Sequence, residues 1–115
     1  MTTLDAALRG AYSTRDADAL LALYADDATI ELVDAVHTPS HPSVLRGHDA
    51  LRAHFEDVFA RDMTHEVDVV ALGDGALGYS LRCAYPDGTK VVCAATAAVV
   101  DGAIVREVGV QAWDA

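Results

Sequence analysis

Two short turn signals, Pro86-Asp87-Gly88-Thr89 and Asp101-Gly102, constrain this chain more than any other feature. Asp-Gly between alternating apolar runs is the strongest local hairpin signal, because Gly accepts the positive φ of a tight primed turn. Centring the first turn on Asp87-Gly88 opposes Tyr85 to Lys90, Cys83 to Val92, Leu81 to Ala94 and Tyr79 to Thr96. Centring the second on Asp101-Gly102 opposes Thr96 to Glu107, Ala94 to Gly109, Val92 to Gln111 and Lys90 to Trp113. Directly opposed residues share a sheet face. One face is then expected to carry Tyr79, Cys83, Tyr85, Thr96, Glu107, Gln111 and Trp113. The other carries Val91, Cys93, Ala95, Ala97, Val99, Ile104, Val108 and Val110, interrupted by Arg82 and Arg106. A slip of one residue in either turn inverts part of this assignment.

The 115 residues suffice for one domain, residues 1–115, with a real core. The formal net charge is −10. Phosphate binding is driven by clustered Lys and Arg, so no nucleic-acid partner is expected, and an anionic membrane is disfavoured. A neutral or cationic small ligand is easier to reconcile with that charge, and the partner expected from the pocket is a small apolar molecule. No apolar run approaches the roughly 20 residues that span a bilayer. The start, Met1-Thr2-Thr3-Leu4-Asp5, lacks the basic and apolar regions of a signal peptide, which points to the cytoplasm. The turn register puts Cys83 and Cys93 on opposite faces of adjacent strands, so both are expected as free thiols.

The first half reads helical. Leu4, Ala7, Leu8, Ala11 and Tyr12 recur at helical spacing, and the pattern breaks at Ser13-Thr14. Asp16 and Asp18 sit where a second helix dipole favours acids, and that helix is expected to end near Asp26-Asp27. Ala28 to Val33 alternates as a strand. Asp34 to Arg46, with Pro39 and Pro42, reads as a long loop of the kind that forms lids or binding loops. A third helix starts near Gly47, with Leu51, Phe55, Val58 and Phe59 as its stripe and His54 on the same face. The strand from His65 to Leu72 turns at Gly73-Asp74-Gly75, opposing His65 to Cys83, Val67 to Leu81 and Val69 to Tyr79. Helices segregated from an antiparallel sheet make an α+β domain. The expected architecture is a cone, with three N-terminal helices packed on a strongly curved antiparallel sheet and a pocket between them.

The stretch from Asp16 to Glu31, DADALLALYADDATIE, resembles the opening of the nuclear-transport-factor-2-like (NTF2-like) superfamily. Leu45 to Phe55 resembles its third helix with the usual Gly lead-in, and Asp101 to Val108 its final hairpin. The resemblance implies the cone-shaped fold, which hosts enzymes, binding modules and scaffolds alike. The ketosteroid isomerase branch uses an Asp base, a Tyr and a second Asp. Those positions fall at about Leu32, Leu8 and Thr96, and none of these can do that work. The Asp-Arg-Asp cluster of the epoxide hydrolases is not apparent. Tyr85 to Ala95 and the ending Val110 to Asp114 resemble the SnoaL-like, polyketide-cyclase-like branch. That resemblance implies an acid/base residue in an apolar pocket, without a cofactor.

Glu107 is the leading candidate, since its strand neighbours are apolar and it is expected to point inward. A carboxylate in an apolar cavity has a raised pKa and exchanges protons near neutrality. The alternative is a structural Glu bonded to Thr96 or Tyr79. His65 is the candidate proton shuttle, and His54 a pocket-wall residue. Tyr79, Gln111 and Trp113 each pair an apolar body with a polar tip and are expected to orient a ligand. Cys83 and Thr96 join them on the same face. Asp34 and His37 belong to the lid-like loop. With His41 they have ligand chemistry, but His-x-x-x-His in a Pro-bearing loop lacks the helix that makes such spacing meaningful, so no metal is expected. The Ala/Val-rich sheet face is too apolar to stay in water and is expected to join two copies as a homodimer. Two function classes remain open: an acid/base enzyme of the cyclase or isomerase type, and a non-catalytic binder or dimerisation scaffold.

Overall fold

The computed structural model describes residues 3–114. Met1, Thr2 and Ala115, the ends of the expected domain, lie outside the described residues. Helix α1 (Leu4–Ser13) buries Leu8, Ala11 and Tyr12, the stripe that its spacing dictates. Thr3 caps it, its hydroxyl accepting from the Ala6 N–H at 3.2 Å. Helix α2 (Ala17–Leu21) is capped by Asp16 in the same way. It stops earlier than the sequence suggests. The Leu23 carbonyl accepts from the Ile104 N–H at 2.9 Å, and Tyr24 already opposes Ile104. Sheet pairing thus overrides the helical propensity of Leu23 to Ala25.

Strand β1 (Tyr24–Val33) pairs with β2 (Ser43–Arg46), a short strand inside the segment expected as loop. Helix α3 (Gly47–Ala60) follows and buries Leu51 and Phe55. The chain then meanders through β3 (Thr64–Gly73), β4 (Ala76–Ala84), β5 (Lys90–Val100) and β6 (Ala103–Trp113). Among the described residues the six strands run in the order β2-β1-β6-β5-β4-β3. The sheet is mixed rather than antiparallel, because β1 runs parallel to β6. Its inner face and the helices share one core that includes Leu8, Leu20, Ile30, Leu51, Leu77 and Ile104. Among the described residues no helix is long and apolar enough to cross a membrane.

The register differs from the expected one in a way that changes one strand. The Asp101-Gly102 turn is a two-residue turn with both φ values positive (52° and 80°), and Val100 opposes Ala103 as expected. A bulge at Ala98/Val99 then shifts the ladder, so Glu107 opposes Ala97 rather than Thr96. The other turn holds three residues, Pro86-Asp87-Gly88, between Tyr85 and Thr89. The Tyr85 N–H donates to the Thr89 carbonyl at 2.9 Å, and Gly88 takes φ 92°. Ala84 therefore opposes Lys90, and Tyr79 opposes Ala95.

Each change is one residue, and together they turn β5 over. Val91, Cys93, Ala95 and Ala97 face inward, whereas Val92, Ala94, Thr96 and Ala98 face outward. Cys83 and Cys93 consequently lie on the same inner face, both free, instead of on opposite faces. Arg82 and Arg106 stay outside, with Arg82 paired to Asp68 at 3.0 Å. On β3, His65 opposes Cys83 and Val67 opposes Leu81 as expected. A bulge beyond Val67 brings Val70, not Val69, opposite Tyr79.

Candidate active-site cavity

Alternation along β6 points Glu107, Gly109, Gln111 and Trp113 into the concave side of the sheet. Glu107 is only 5% exposed. Across the parallel ladder it opposes Ile30, and on the other side Ala97, so its strand neighbours are apolar. The Tyr24 hydroxyl donates to Glu107 Oε1 at 2.8 Å. Burial pushes the Glu107 pKa up to about 7, although the Tyr24 and Tyr79 hydroxyls pull it down. Desolvation penalises the carboxylate more than the phenols stabilise it, so the group changes charge near neutral pH.

Three tyrosines from three elements surround this carboxyl: Tyr12 from α1, Tyr24 from β1 and Tyr79 from β4. The rings of Tyr12 and Tyr79 lie 6.4 Å apart. Burial and then the Glu107 charge hold all three phenols far above their ordinary pKa. They remain hydrogen-bond donors at every physiological pH. His48 Nε2 meets the Tyr24 carbonyl at 2.8 Å, tying the start of α3 to the strand that carries Tyr24.

A cavity of about 370 Å³ opens between the sheet and the helices. Such a volume is at the small end of ligand sites, which run from about 300 to 1,000 Å³. Glu107, Tyr12 and Tyr79 line its buried part, among Leu20, Ile30, Phe55, Leu81 and Val91. The more exposed lining residues are Asp34, His37, Arg61 and Trp113.

Asp34 closes a tight turn there. Its Oδ1 accepts from the Val36 and His37 N–H groups at 2.9 and 2.8 Å and meets His37 Nδ1 at 3.0 Å. Desolvation lifts the Asp34 carboxyl, but the His37 and Val36 hydrogen bonds outweigh it and hold the pKa below the ordinary value. Gln111 accepts from the Trp113 indole at 3.2 Å, and Tyr85 stacks on Trp113. His54 faces the cavity from α3, and burial, aided by the Arg61 charge, lowers its pKa.

Of the residues singled out from the sequence, the cavity gathers Glu107, Tyr79, Gln111, Trp113, Cys83, His54, Asp34 and His37. Two are placed elsewhere. Thr96 faces outward because the β5 ladder is shifted, and it opposes Val108. His65 is not among the residues that line the cavity; it sits beside Cys83 on the same sheet face, its ring against Phe59 and Tyr12 and its Nδ1 3.3 Å from Cys83 Sγ. It therefore meets Cys83, not Glu107. Among the described residues no three His, Cys, Asp or Glu side chains converge as metal ligands. Tyr12 and Tyr24 are not legible in the sequence as site residues. Tyr12 was hidden in a helix stripe, and Tyr24 in the apparent second helix; the only signal was a polar tip on each apolar face.

The family model for the SnoaL-like domain matches residues 4–107. The chain belongs to the SnoaL-like domain family. Comparison with curated proteins gives no significant match. Solved structures similar to this SnoaL-like domain include a ketosteroid-isomerase-like protein of Kribbella flavida. It is 18% identical with TM-score 0.75, over 94% of this chain and 73% of that one. A polyketide-cyclase-like protein of Sinorhizobium meliloti is 19% identical with TM-score 0.69, over 91% of both chains. A computationally designed 17-OHP binder is 24% identical with TM-score 0.68, over 89% of this chain and 85% of that one. An NTF2-like protein of Mesorhizobium loti is 19% identical with TM-score 0.76, over 91% of this chain and 84% of that one, and the likeness establishes an NTF2-like fold.

Proposed function

We propose that this SnoaL-like domain is an isomerase- or cyclase-type enzyme that moves a proton on a small apolar carbonyl compound. The observation that carries the reading is Glu107, a buried carboxyl on the wall of an apolar cavity with a pKa of about 7. Ionised Glu107 takes the proton from the carbon beside the carbonyl. The electron pair moves to the carbonyl oxygen, and the neutral carboxyl then returns the proton to the enolate. Tyr12, held as a phenol, is the donor available to the enolate oxygen. Tyr24 holds Glu107 in place. Gln111, Trp113, His54, Asp34 and His37 contact the rest of the ligand near the entrance. General acid/base catalysis by one positioned group is worth about 10²–10⁴-fold.

The kinship with proteins bearing isomerase and cyclase names supports this chemistry. The likeness to a designed 17-OHP binder supports a second reading, in which the same cavity holds an apolar ligand without turning it over. Deuterium uptake from D2O into a panel of cyclic ketones, read by mass spectrometry, separates the two. Catalysis predicts uptake by the wild type that rises as pH passes 7 and is lost in Glu107→Gln. Binding without uptake by any ketone refutes catalysis. We also propose a homodimer through the outer sheet face, where Val92, Ala94, Val108 and Val110 form an apolar patch and Val110 is 52% exposed.

A further inference from the structure

The Cys83–His65 pair is chemistry that the Glu107 reading leaves unused. Cys83 lines the cavity, and His65, its direct cross-strand neighbour, meets its sulfur at 3.3 Å. The other ring nitrogen, Nε2, is buried without a hydrogen-bond partner among the described residues. Buried orphan nitrogens are rare and require a physical reason. We infer that Cys83 and His65 form a nucleophilic dyad that captures small α,β-unsaturated carbonyl compounds entering the cavity.

The step balances without any further reagent. The Cys83 S–H proton passes to His65 Nδ1 as Sγ bonds to the β-carbon of the enone. The C=C electron pair shifts to give the enolate. The α-carbon takes a proton from water in the cavity and the imidazolium gives its own back to that water, leaving a saturated thioether on Cys83 and His65 as it began. Nothing is oxidised, and the whole electrophile is retained.

The surroundings fit a pair that rests neutral. Burial raises the Cys83 thiol, and burial with the Arg15 charge lowers His65. A thiol of high pKa is the stronger nucleophile once deprotonated, and the adjacent base supplies the deprotonation that solvent cannot. The groups facing the pair are Tyr12 from α1, Phe59 from α3, Arg15 from the turn after α1, and Cys93 from β5. Of these Tyr12 and Cys93 are held protonated, Cys93 with its pKa pushed up to about 12 by burial. Cys93 lacks an imidazole at hydrogen-bond distance among the described residues, so the two cavity thiols are distinguishable.

This inference rests on the cavity admitting small molecules, and not on Glu107 as a base. The probe is 2-cyclohexenone with the full chain, followed by intact mass and peptide mapping. One adduct on Cys83 is expected, forming at pH 7 about tenfold or more faster than with glutathione. Cys93→Ser retains it and Cys83→Ser loses it. His65→Gln slows it about tenfold or more, and its rate climbs with pH as thiolate accumulates, whereas the wild-type rate is flat between pH 7 and 8. An adduct on Cys93, a rate no faster than glutathione, or a rate indifferent to His65→Gln overturns the dyad. Iodoacetamide distinguishes the two levels of failure. If it alkylates Cys83 while the enone is not accelerated, the dyad is wrong and the open cavity stands. If neither reagent reaches Cys83, the open cavity falls as well.

Discussion

Replacing Glu107 by Gln should stabilise the chain, but only above acidic pH. The carboxyl ionises at about 7 in the folded chain, against an ordinary value of 4.5. A raised folded pKa means that the unfolded chain gives up its proton first. Below pH 4.5 both states hold the proton, and the group costs nothing. Between 4.5 and 7 the unfolded chain ionises alone, and wild-type stability falls. Above 7 the full difference is reached, about 3 kcal/mol at 1.36 kcal/mol per pKa unit. The amide that replaces the carboxyl keeps an oxygen for the Tyr24 hydroxyl, which sits 2.8 Å from Oε1. It carries no charge to desolvate. The variant should therefore match the wild type near pH 4.5 and exceed it by about 3 kcal/mol at about pH 8.5. For a chain of this size that is about 10 °C in Tm. Urea unfolding of both proteins at half-unit pH intervals reads the difference. A difference that stays constant with pH would refute the reasoning, because it would mean that Glu107 ionises alike in the folded and unfolded chains.

Tyr24→Phe removes the donor to Glu107 Oε1. It should raise the Glu107 pKa further and cost about 1–3 kcal/mol at pH 8, with a smaller loss at pH 5, both read by denaturation. Gly109→Ala would put a Cβ 3.1 Å from Leu32 Cδ2 and 3.3 Å from Cys93 Sγ. Overpacking of that kind costs about 1–3 kcal/mol and should weaken binding of a hydrophobic fluorescent probe in the cavity. Val110→Asp, on the outer sheet face, should convert a dimer to a folded monomer by light scattering with an unchanged circular dichroism spectrum.

The elements with local causes were legible in the sequence. The α1 stripe from Leu4 to Tyr12 is legible because each apolar residue repeats at helical spacing. Asp101-Gly102 is legible because both residues tolerate positive φ. Glu107 stood out because a charge among apolar strand residues must point somewhere costly. What escaped depends on partners distant in sequence. The β1–β6 parallel pairing draws Tyr24 out of a helical pattern. The bulge at Ala98/Val99 has no residue signature, since Ala and Val pack equally well in either register, yet it sends Thr96 outward. The Pro86-Asp87-Gly88 loop and a two-residue turn have the same Asp-Gly signal, and only the Tyr85–Thr89 hydrogen bond separates them. The pairing of His65 with Cys83 is legible from the turn between their strands, but register alone does not say whether the ring reaches the cavity or stops at the sulfur.

The proposed chemistry depends on Glu107 exchanging its proton near neutrality inside the cavity. A carbon-detected NMR titration of the glutamate side-chain carboxyls, with Glu107→Gln assigning the resonance, measures this directly. A midpoint of about 7 is expected for that one resonance. A midpoint at or below the ordinary 4.5 would contradict it and make Glu107 a structural group held by Tyr24.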